Sequence, residues 1–171
     1  TRELDRKLEI LDLGCGTGLC GPLLKPHASR LVGIDLSSGM LTKAKNRGDY
    51  DELILADIPA FLMLHPAAYD AIVAADTLCY FGDLREVVQG SSRALKPGGL
   101  FVFTVERAED GETEKSGFVL RPHGRYAHGE SYVRQVLAGA GFSTESIEDE
   151  VLRHEGGVPQ HGWLVTAFRQ T

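Results

Sequence analysis

Along the chain, short continuous apolar runs alternate with stretches whose apolar residues recur every three or four positions. The runs are Leu8 to Leu13, Arg30 to Asp35, 51–57 (DELILAD), 69–76 (YDAIVAAD) and 100–105 (LFVFTV). Each is too short for a buried helix, and four end at an aspartate or run into a glycine, so they predict buried strands. Between them, 37–48 (SSGMLTKAKNRG) predicts a helix capped at Ser37 or Ser38 with Met40, Leu41 and Ala44 on one face, and 84–95 (LREVVQGSSRAL) predicts another. LCGPLL, 19–24, starts a helix that accepts Pro22 in its first turn and is ended or kinked early by Pro26. KPGG, 96–99, reads as a turn before the fifth strand.

Past Glu106 the pattern changes. ERAEDGETEKSG reads as an exposed connection and FVL, 118–120, as a short strand. Residues 130–142 predict a helix with Tyr132, Val133, Val136, Leu137 and Ala140 inward, stopped by Gly141. Two late strands, around Thr144 to Arg153 and Trp163 to Phe168, flank a polar GGVPQHG turn region and are expected to form a hairpin. Buried strands separated by amphipathic helices require a parallel sheet covered on both faces, an α/β architecture whose ligands sit at the carboxyl edge of the strands.

Composition narrows this picture. A length of 171 residues suits a single domain, 1–171, and an apolar fraction of 43 % with 20 glycines describes a folded globule. The formal charge of −6 argues against a nucleic-acid backbone as partner. Cys15, Cys20 and Cys79 form neither CxxC pairs nor an even set, which points to a reducing, cytoplasmic compartment. No apolar run approaches the roughly 18 residues that span a bilayer, and no basic segment with an apolar continuation opens the chain. The absent initiator methionine is expected of a fragment, a processed product or part of a longer protein.

Candidate chemistry begins at Gly14, Gly16 and Gly18, which directly follow the first strand. Bare backbone there lets a ligand approach and aims the next helix at it; a tight turn without ligand is the plain alternative. The spacing is GxGxG rather than the GxGxxG of a dinucleotide fingerprint. Asp35 ends the second strand 21 positions after Gly14, the distance at which a carboxylate accepts hydrogen bonds from ribose hydroxyls. A nicotinamide cofactor fits that fact too, as does an ordinary strand-end turn. Asp57 ends the third run, where a carboxylate accepts a hydrogen bond from an exocyclic adenine amine, unless Asp-Ile-Pro merely leads the chain out of the sheet. With Asp12 just before Gly14, three carboxylates surround one pocket. They repel a pyrophosphate and suit a ligand carrying an ammonium and a sulfonium, which favours S-adenosylmethionine.

At this point the sequence resembles the class I S-adenosylmethionine-dependent methyltransferases, of the type 11/12 kind. The match is ordered: EILDLGCGTG at 9–18, LVGIDLS at 31–37, LILADI at 53–58, YDAIVAADTLCYFGDL at 69–84 and LKPGGLFVFTVE at 95–106. It implies a Rossmann-like fold with a mainly parallel seven-stranded sheet, helices on both faces and an antiparallel C-terminal strand. It also implies cofactor roles: Gly14, Cys15 and Gly16 in the loop around the methionine portion, Asp35 and Leu36 at the ribose, and Asp57 with the Ile58 amide at the adenine edge. Met40 would pack on the adenine ring or remain helix core, Ala74 to Asp76 would line the pocket's side, and Asp12 would order the loop and the bound ammonium. The product would be S-adenosylhomocysteine. RPHGRYAHGESY, 121–132, resembles a segment of a bacterial subgroup whose longer members carry upstream tetratricopeptide repeats. The family places one or more helices before the first strand, so with seven residues there N-terminal helices are expected to be missing.

Methyl transfer from a sulfonium is an in-line displacement, so a protein contributes mainly by alignment and a base is optional. His128 and Tyr126 are the catalytic candidates, with a helix-start or packing role as the alternative for His128. Tyr80, Arg107, His123 and Arg125 are candidates for substrate binding, Arg125 being suited to an acidic acceptor. Cys15 is read as small filler rather than a nucleophile. His154 and His161 are polar residues around the last hairpin and no metal is expected; Trp163 is read as core or hairpin packing. No Asn-Pro-Pro-Tyr marks the fourth strand, so the expected acceptor is a small molecule and no nucleic-acid partner is expected. The alternatives are a noncatalytic S-adenosylmethionine-binding or assembly protein on the same fold and, disfavoured by Asp57, a nicotinamide-dependent oxidoreductase.

Overall fold

The computed structural model describes residues 6–109, 111–113 and 116–171. β1 (Leu8–Leu13), β2 (Ala28–Asp35), β3 (Glu52–Leu55), β4 (Tyr69–Ala74) and β5 (Leu95–Arg107) pair in parallel in the order β3-β2-β1-β4-β5. β6 (Phe118–Leu120) and β7 (Tyr126–His128) form a small hairpin, with β7 parallel to β5 at Glu106 and Arg107. β9 (Val158–Arg169) runs antiparallel along β5 and β8 (Phe142–Glu155) antiparallel along β9. The path β3-β2-β1-β4-β5-β9-β8 is therefore the expected seven-stranded sheet with β9 alone reversed, and β6 and β7 bring the sheet to nine strands among the described residues.

Side chains alternate across the sheet as the pleat demands. Leu11, Val32, Ile34, Ile72, Phe101 and Phe103 point to the face covered by α3 (Ile58–Leu64), α4 (Arg85–Ala94) and α5 (Glu130–Gly139), and form the main core with them. Each such side chain, fully buried, contributes about 1.5–3 kcal/mol. Ile10, Leu31 and Ala71 point the other way into a smaller cluster with Leu24 and Tyr50. The one-turn α1 (Gly21–Leu24) precedes a short 3-10 segment that holds Pro26, so the helix ends early as expected.

α2 (Ser38–Arg47) starts at Ser37, whose hydroxyl accepts from the Met40 N–H at 3.3 Å, and stops at Gly48. Of the three residues expected on its inner face only Ala44 is buried; Met40 remains open toward the cavity described below. The late turn is tighter than expected. Gly156 and Gly157 alone reverse the chain, and 159–161 (PQH) continues β9 instead of belonging to the loop. Gly162 pairs with Glu106 near the end of β5, so 151–161 runs on beyond the sheet's carboxyl edge as a two-stranded arm.

Candidate functional site

β1 delivers the chain into Gly14 and Gly16, at φ 65° and 54°, a region that L side chains rarely occupy. A Cβ on Gly14 would stand 2.4 Å from Thr77 Cγ2, whereas one on Gly16 would meet only the Gly14 carbonyl at 4.0 Å. Gly14 is thus fixed by close packing, and Gly16 leaves an open floor. Thr77 Oγ1 donates to the Gly14 carbonyl at 3.2 Å. The loop is tied across to β2, because Gly16 N–H donates to Asp35 Oδ2 at 3.0 Å and Ser37 N–H to Oδ1 at 2.8 Å. Asp57 caps α3 by accepting from the Ala60 N–H at 3.2 Å.

These strand ends enclose a cavity of about 780 Å³, within the ~300–1,000 Å³ typical of small-ligand sites. Asp12, Gly14, Cys15, Gly16, Asp35, Leu36, Met40, Asp57 and Ile58 all line it. Ala74 does not: it is fully buried, and the next residues Ala75, Asp76 and Thr77 form the wall instead. Leu19, Leu36, Met40 and Ile58 give apolar lining, and Asp12, Asp35, Asp57 and Asp76 are its charged groups, with no Lys, Arg or His among the described lining. That donor set, above the bare floor at Gly16, fits a cationic ligand with a flat apolar ring.

Asp12 is almost fully buried, and its Oδ2 accepts from the Tyr50 hydroxyl at 2.6 Å. Burial pushes its carboxyl up to about 6, opposed by the Tyr50 hydrogen bond and helped by Asp35. Burial likewise pushes the Cys15 thiol up to about 12 and that of Cys20 up to about 11, so both are neutral at pH 7.

A second cluster stands at the other end of the cavity. Asp76, at φ 51°, donates its N–H to Thr104 Oγ1 at 2.9 Å and accepts at Oδ1 from Arg153 Nη1 at 3.1 Å. Arg153 comes from the β8–β9 arm and also bonds Glu106, which is only 3 % exposed, and Glu155. Arg125 adds contacts to Glu155 at 3.1 Å and Asp76 at 3.7 Å, with its guanidinium over the Tyr80 ring, and His123 Nε2 lies 3.5 Å from Glu106. Tyr80, His123 and Arg125 are therefore brought together, and of the three Tyr80 lines the cavity.

The structure places the other candidates elsewhere. Arg107 pairs with Asp149 and Glu109 beside Trp163, away from the cavity. His128 is fully buried, with Nε2 bonded to the Gly82 carbonyl at 3.0 Å, Nδ1 without a partner and the ring stacked on Tyr132. Burial holds its imidazole below the usual value. Tyr126 meets Phe118 edge-on, and neither it nor His128 lines the cavity. Trp163 is a packing residue that donates Nε1–H to the His128 carbonyl at 3.0 Å. His161 bonds Asp149, and among the described residues no three His, Cys, Asp or Glu side chains are grouped to hold a metal. Nor is any described helix long and apolar enough to cross a membrane.

Sequence reasoning missed Thr77, Tyr50, Arg153 and Glu155. Thr77 follows directly on Asp76 and was within reach of the strand-end argument. Tyr50 and Arg153 carried no local signal, because their partners Asp12, Glu106 and Asp76 lie 38 to 77 positions away, and Glu155 is joined to Arg125, 30 positions away.

Comparison with known proteins agrees with this geometry. The methyltransferase domain family matches residues 11–103, more than half of the chain. Malonyl-(acyl-carrier protein) O-methyltransferase of Priestia megaterium is 30 % identical over 132 residues, covering 75 % of this chain and 44 % of that protein. The solved S-adenosylmethionine-dependent methyltransferase of Mesorhizobium loti superposes with a TM-score of 0.73 at 25 % identity, covering 99 % of this chain and 94 % of the other. For a Methanosarcina mazei protein of the same description, the TM-score is 0.77 at 21 % identity, covering 98 % and 94 %. The chain spans less than half the length of the curated relatives it matches.

Proposed function

This chain belongs to the methyltransferase domain family, and on that premise we propose that it transfers a methyl group from S-adenosylmethionine to a small-molecule acceptor. One observation carries the reading. Gly14, Gly16, Asp35 and Asp57, from three separate strand ends, converge on one cavity whose charged lining is entirely carboxylate among the described residues. Such a wall opposes the pyrophosphate of a nicotinamide dinucleotide and suits an ammonium and a sulfonium. The cofactor supplies an electrophilic methyl group.

The chain's own residues supply placement. The floor at Gly16 and the Gly14 turn receive the amino-acid portion, Asp12 faces its ammonium, Asp35 accepts from the ribose, and Asp57 and Ile58 meet the adenine edge beside Met40. Asp35 already accepts two backbone N–H groups, yet a carboxylate has about four acceptor sites, so it retains capacity for ribose hydroxyls. Asp76 and Tyr80 bound the end where the acceptor enters, and alignment there is the protein's main contribution to an in-line displacement. The negative lining favours a neutral or cationic acceptor over the acidic one that Arg125 suggests from sequence, since Arg125 is engaged by Glu155 and Asp76. Buried His128 is read as packing, and Asp76 takes its place as the polar group facing the acceptor. The subgroup resemblance of 121–132 rests on that segment alone. Cytoplasmic residence remains the expectation from cysteine usage.

Calorimetric titration of the folded chain with S-adenosylmethionine, S-adenosylhomocysteine and NAD tests the proposal. Saturable one-site binding of the first two and none of NAD is expected. NAD binding, or no binding by a folded chain, rejects the reading. Binding without transfer to any acceptor across a broad small-molecule panel favours the noncatalytic alternative.

A further inference from the structure

We propose that Tyr50 is a positioning residue of the cofactor pocket: its hydroxyl holds the Asp12 carboxylate beneath the glycine loop, ready to receive the ammonium of the ligand. The inference rests on the methyltransferase reading above. Tyr50 itself does not line the cavity, so it acts through Asp12, which does. It follows α2, 38 positions from Asp12, and its OH donates to Asp12 Oδ2 at 2.6 Å. The ring is held from several sides, because Gly18, Gly21 and Gly33 each leave the space it occupies: a Cβ on any of them would stand 2.8–3.1 Å from a Tyr50 ring atom. Three glycines, from the loop after β1, from α1 and from β2, thus fix where the phenol points.

The bond matters because Asp12 is buried beside another carboxylate. Burial and Asp35 both favour its neutral form, while the Tyr50 hydrogen bond favours the charged form that an ammonium requires. The titratable groups facing Asp12 are Asp35 at the end of β2, Cys15 in the loop, Cys20 before α1 and Tyr50 after α2. Both thiols are pushed up, to about 12 and about 11, and the Tyr50 phenol is pushed above its usual value, so between pH 5 and 8 none of the three ionises. The sign follows. As pH falls through about 6, Asp12 gains a proton and the pocket loses the charge that faces the ammonium. Removing the hydroxyl moves that loss to higher pH.

The test is calorimetric titration with S-adenosylhomocysteine, which carries the same ammonium, from pH 5 to pH 8 on the full chain and on Tyr50→Phe. The wild-type affinity is expected to fall about tenfold toward pH 5, with its half-point near 6. Tyr50→Phe shifts that half-point up by about one pH unit, a tenfold change in proton affinity, so it binds about fivefold more weakly than wild type at pH 6 and equally at pH 8. A profile identical to wild type, or one weakened by the same factor at every pH, overturns the proposal, since a purely structural Tyr50 would produce one or the other. Asp12→Asn provides the second arm. It is expected to bind weakly and without pH dependence, and a retained wild-type profile would show that another group titrates. Failure of the wild-type chain to bind S-adenosylhomocysteine at any pH is a separate outcome, which removes the underlying methyltransferase reading.

Discussion

The two ends of the cavity are built on different principles. At the end assigned to the cofactor under the proposed function, most polar groups are satisfied by backbone N–H groups: Asp35 holds Ser37 and Gly16, Ser37 caps α2 and Asp57 caps α3, with Asp12, held by the Tyr50 hydroxyl, the exception. At the acceptor end, Asp76, Glu106, Arg125, Arg153 and Glu155 come from four separate parts of the chain and hold one another by charge. The first end has its geometry once the turns after β1, β2 and β3 form and Tyr50 reaches Asp12. The second exists only where β9 pairs with β5 and carries the β8–β9 arm past its end. A protein built this way can keep its cofactor pocket while its acceptor wall is altered.

The largest expected effect attacks the local end. Gly14→Ala forces a side chain into a left-handed turn and against Thr77, at a combined cost of about 4 kcal/mol from strain and overpacking. Loss of cofactor binding and a lower thermal midpoint in calorimetry are the expected readouts, and a stable variant with wild-type affinity would remove the loop from the site. Next, Arg153→Met takes the cation nearest to buried Glu106. Breaking a buried pair costs about 3–5 kcal/mol, but Arg125 and His123 remain near Glu106, so about 2 kcal/mol of stability is expected to go in urea unfolding, with S-adenosylhomocysteine affinity retained. An equal loss of cofactor affinity would mean that the two ends are coupled.

Asp35→Ala removes charged hydrogen bonds that hold the loop and, on the proposed reading, the ribose; about 2 kcal/mol of cofactor affinity should be lost, or some thirtyfold in Kd. Unchanged binding by the folded variant would reject its role. The smallest effect lies in pH dependence, where Asp12 in the cavity wall and His128, buried away from it, have opposite signs. The folded value of Asp12 is raised, so its contribution to stability is present below about pH 4 and lost as pH rises through about 6. That of His128 is lowered, so its contribution is present above the usual imidazole value and lost as pH falls below it. Denaturant midpoints from pH 4 to pH 8 should therefore show His128→Asn with a shallower acid limb and Asp12→Asn without the decline between 4 and 6. Parallel curves for wild type and both variants would contradict the assigned environments.

Legibility in the sequence divides along the same line. The strands, the glycine loop and Asp12, Asp35 and Asp57 could be read because each is announced by its neighbours: an apolar run, then a residue that stops it. Met40 was only half legible, since helical spacing marks it as inward while the sheet's end leaves it open to the cavity. Arg153 reads as one more polar residue on a late strand, and only the pairing of β8 with β9, itself paired with β5, brings it to Asp76, 77 positions earlier. His128 reads as chemistry from its residue type and its expected place near the strands' carboxyl edges, yet the side chains of the β6–β7 hairpin and α5 close over it, and nothing local in the sequence marks a histidine as sealed.

The arm beyond Gly162 has a further consequence for how such a protein diversifies. Its tip at Gly156 and Gly157 is exposed, lies past the end of the hydrogen-bonded partnership with β5, and supplies no side chain to the core. Exposed loop tips of this kind tolerate insertion. Lengthening or recolouring this hairpin changes the cavity wall around Asp76, while the turns at Gly14, Gly16 and Asp35 are untouched. On the proposed reading the arm is an interchangeable part, through which descent can explore new acceptors without rebuilding the turns at Gly14, Gly16 and Asp35.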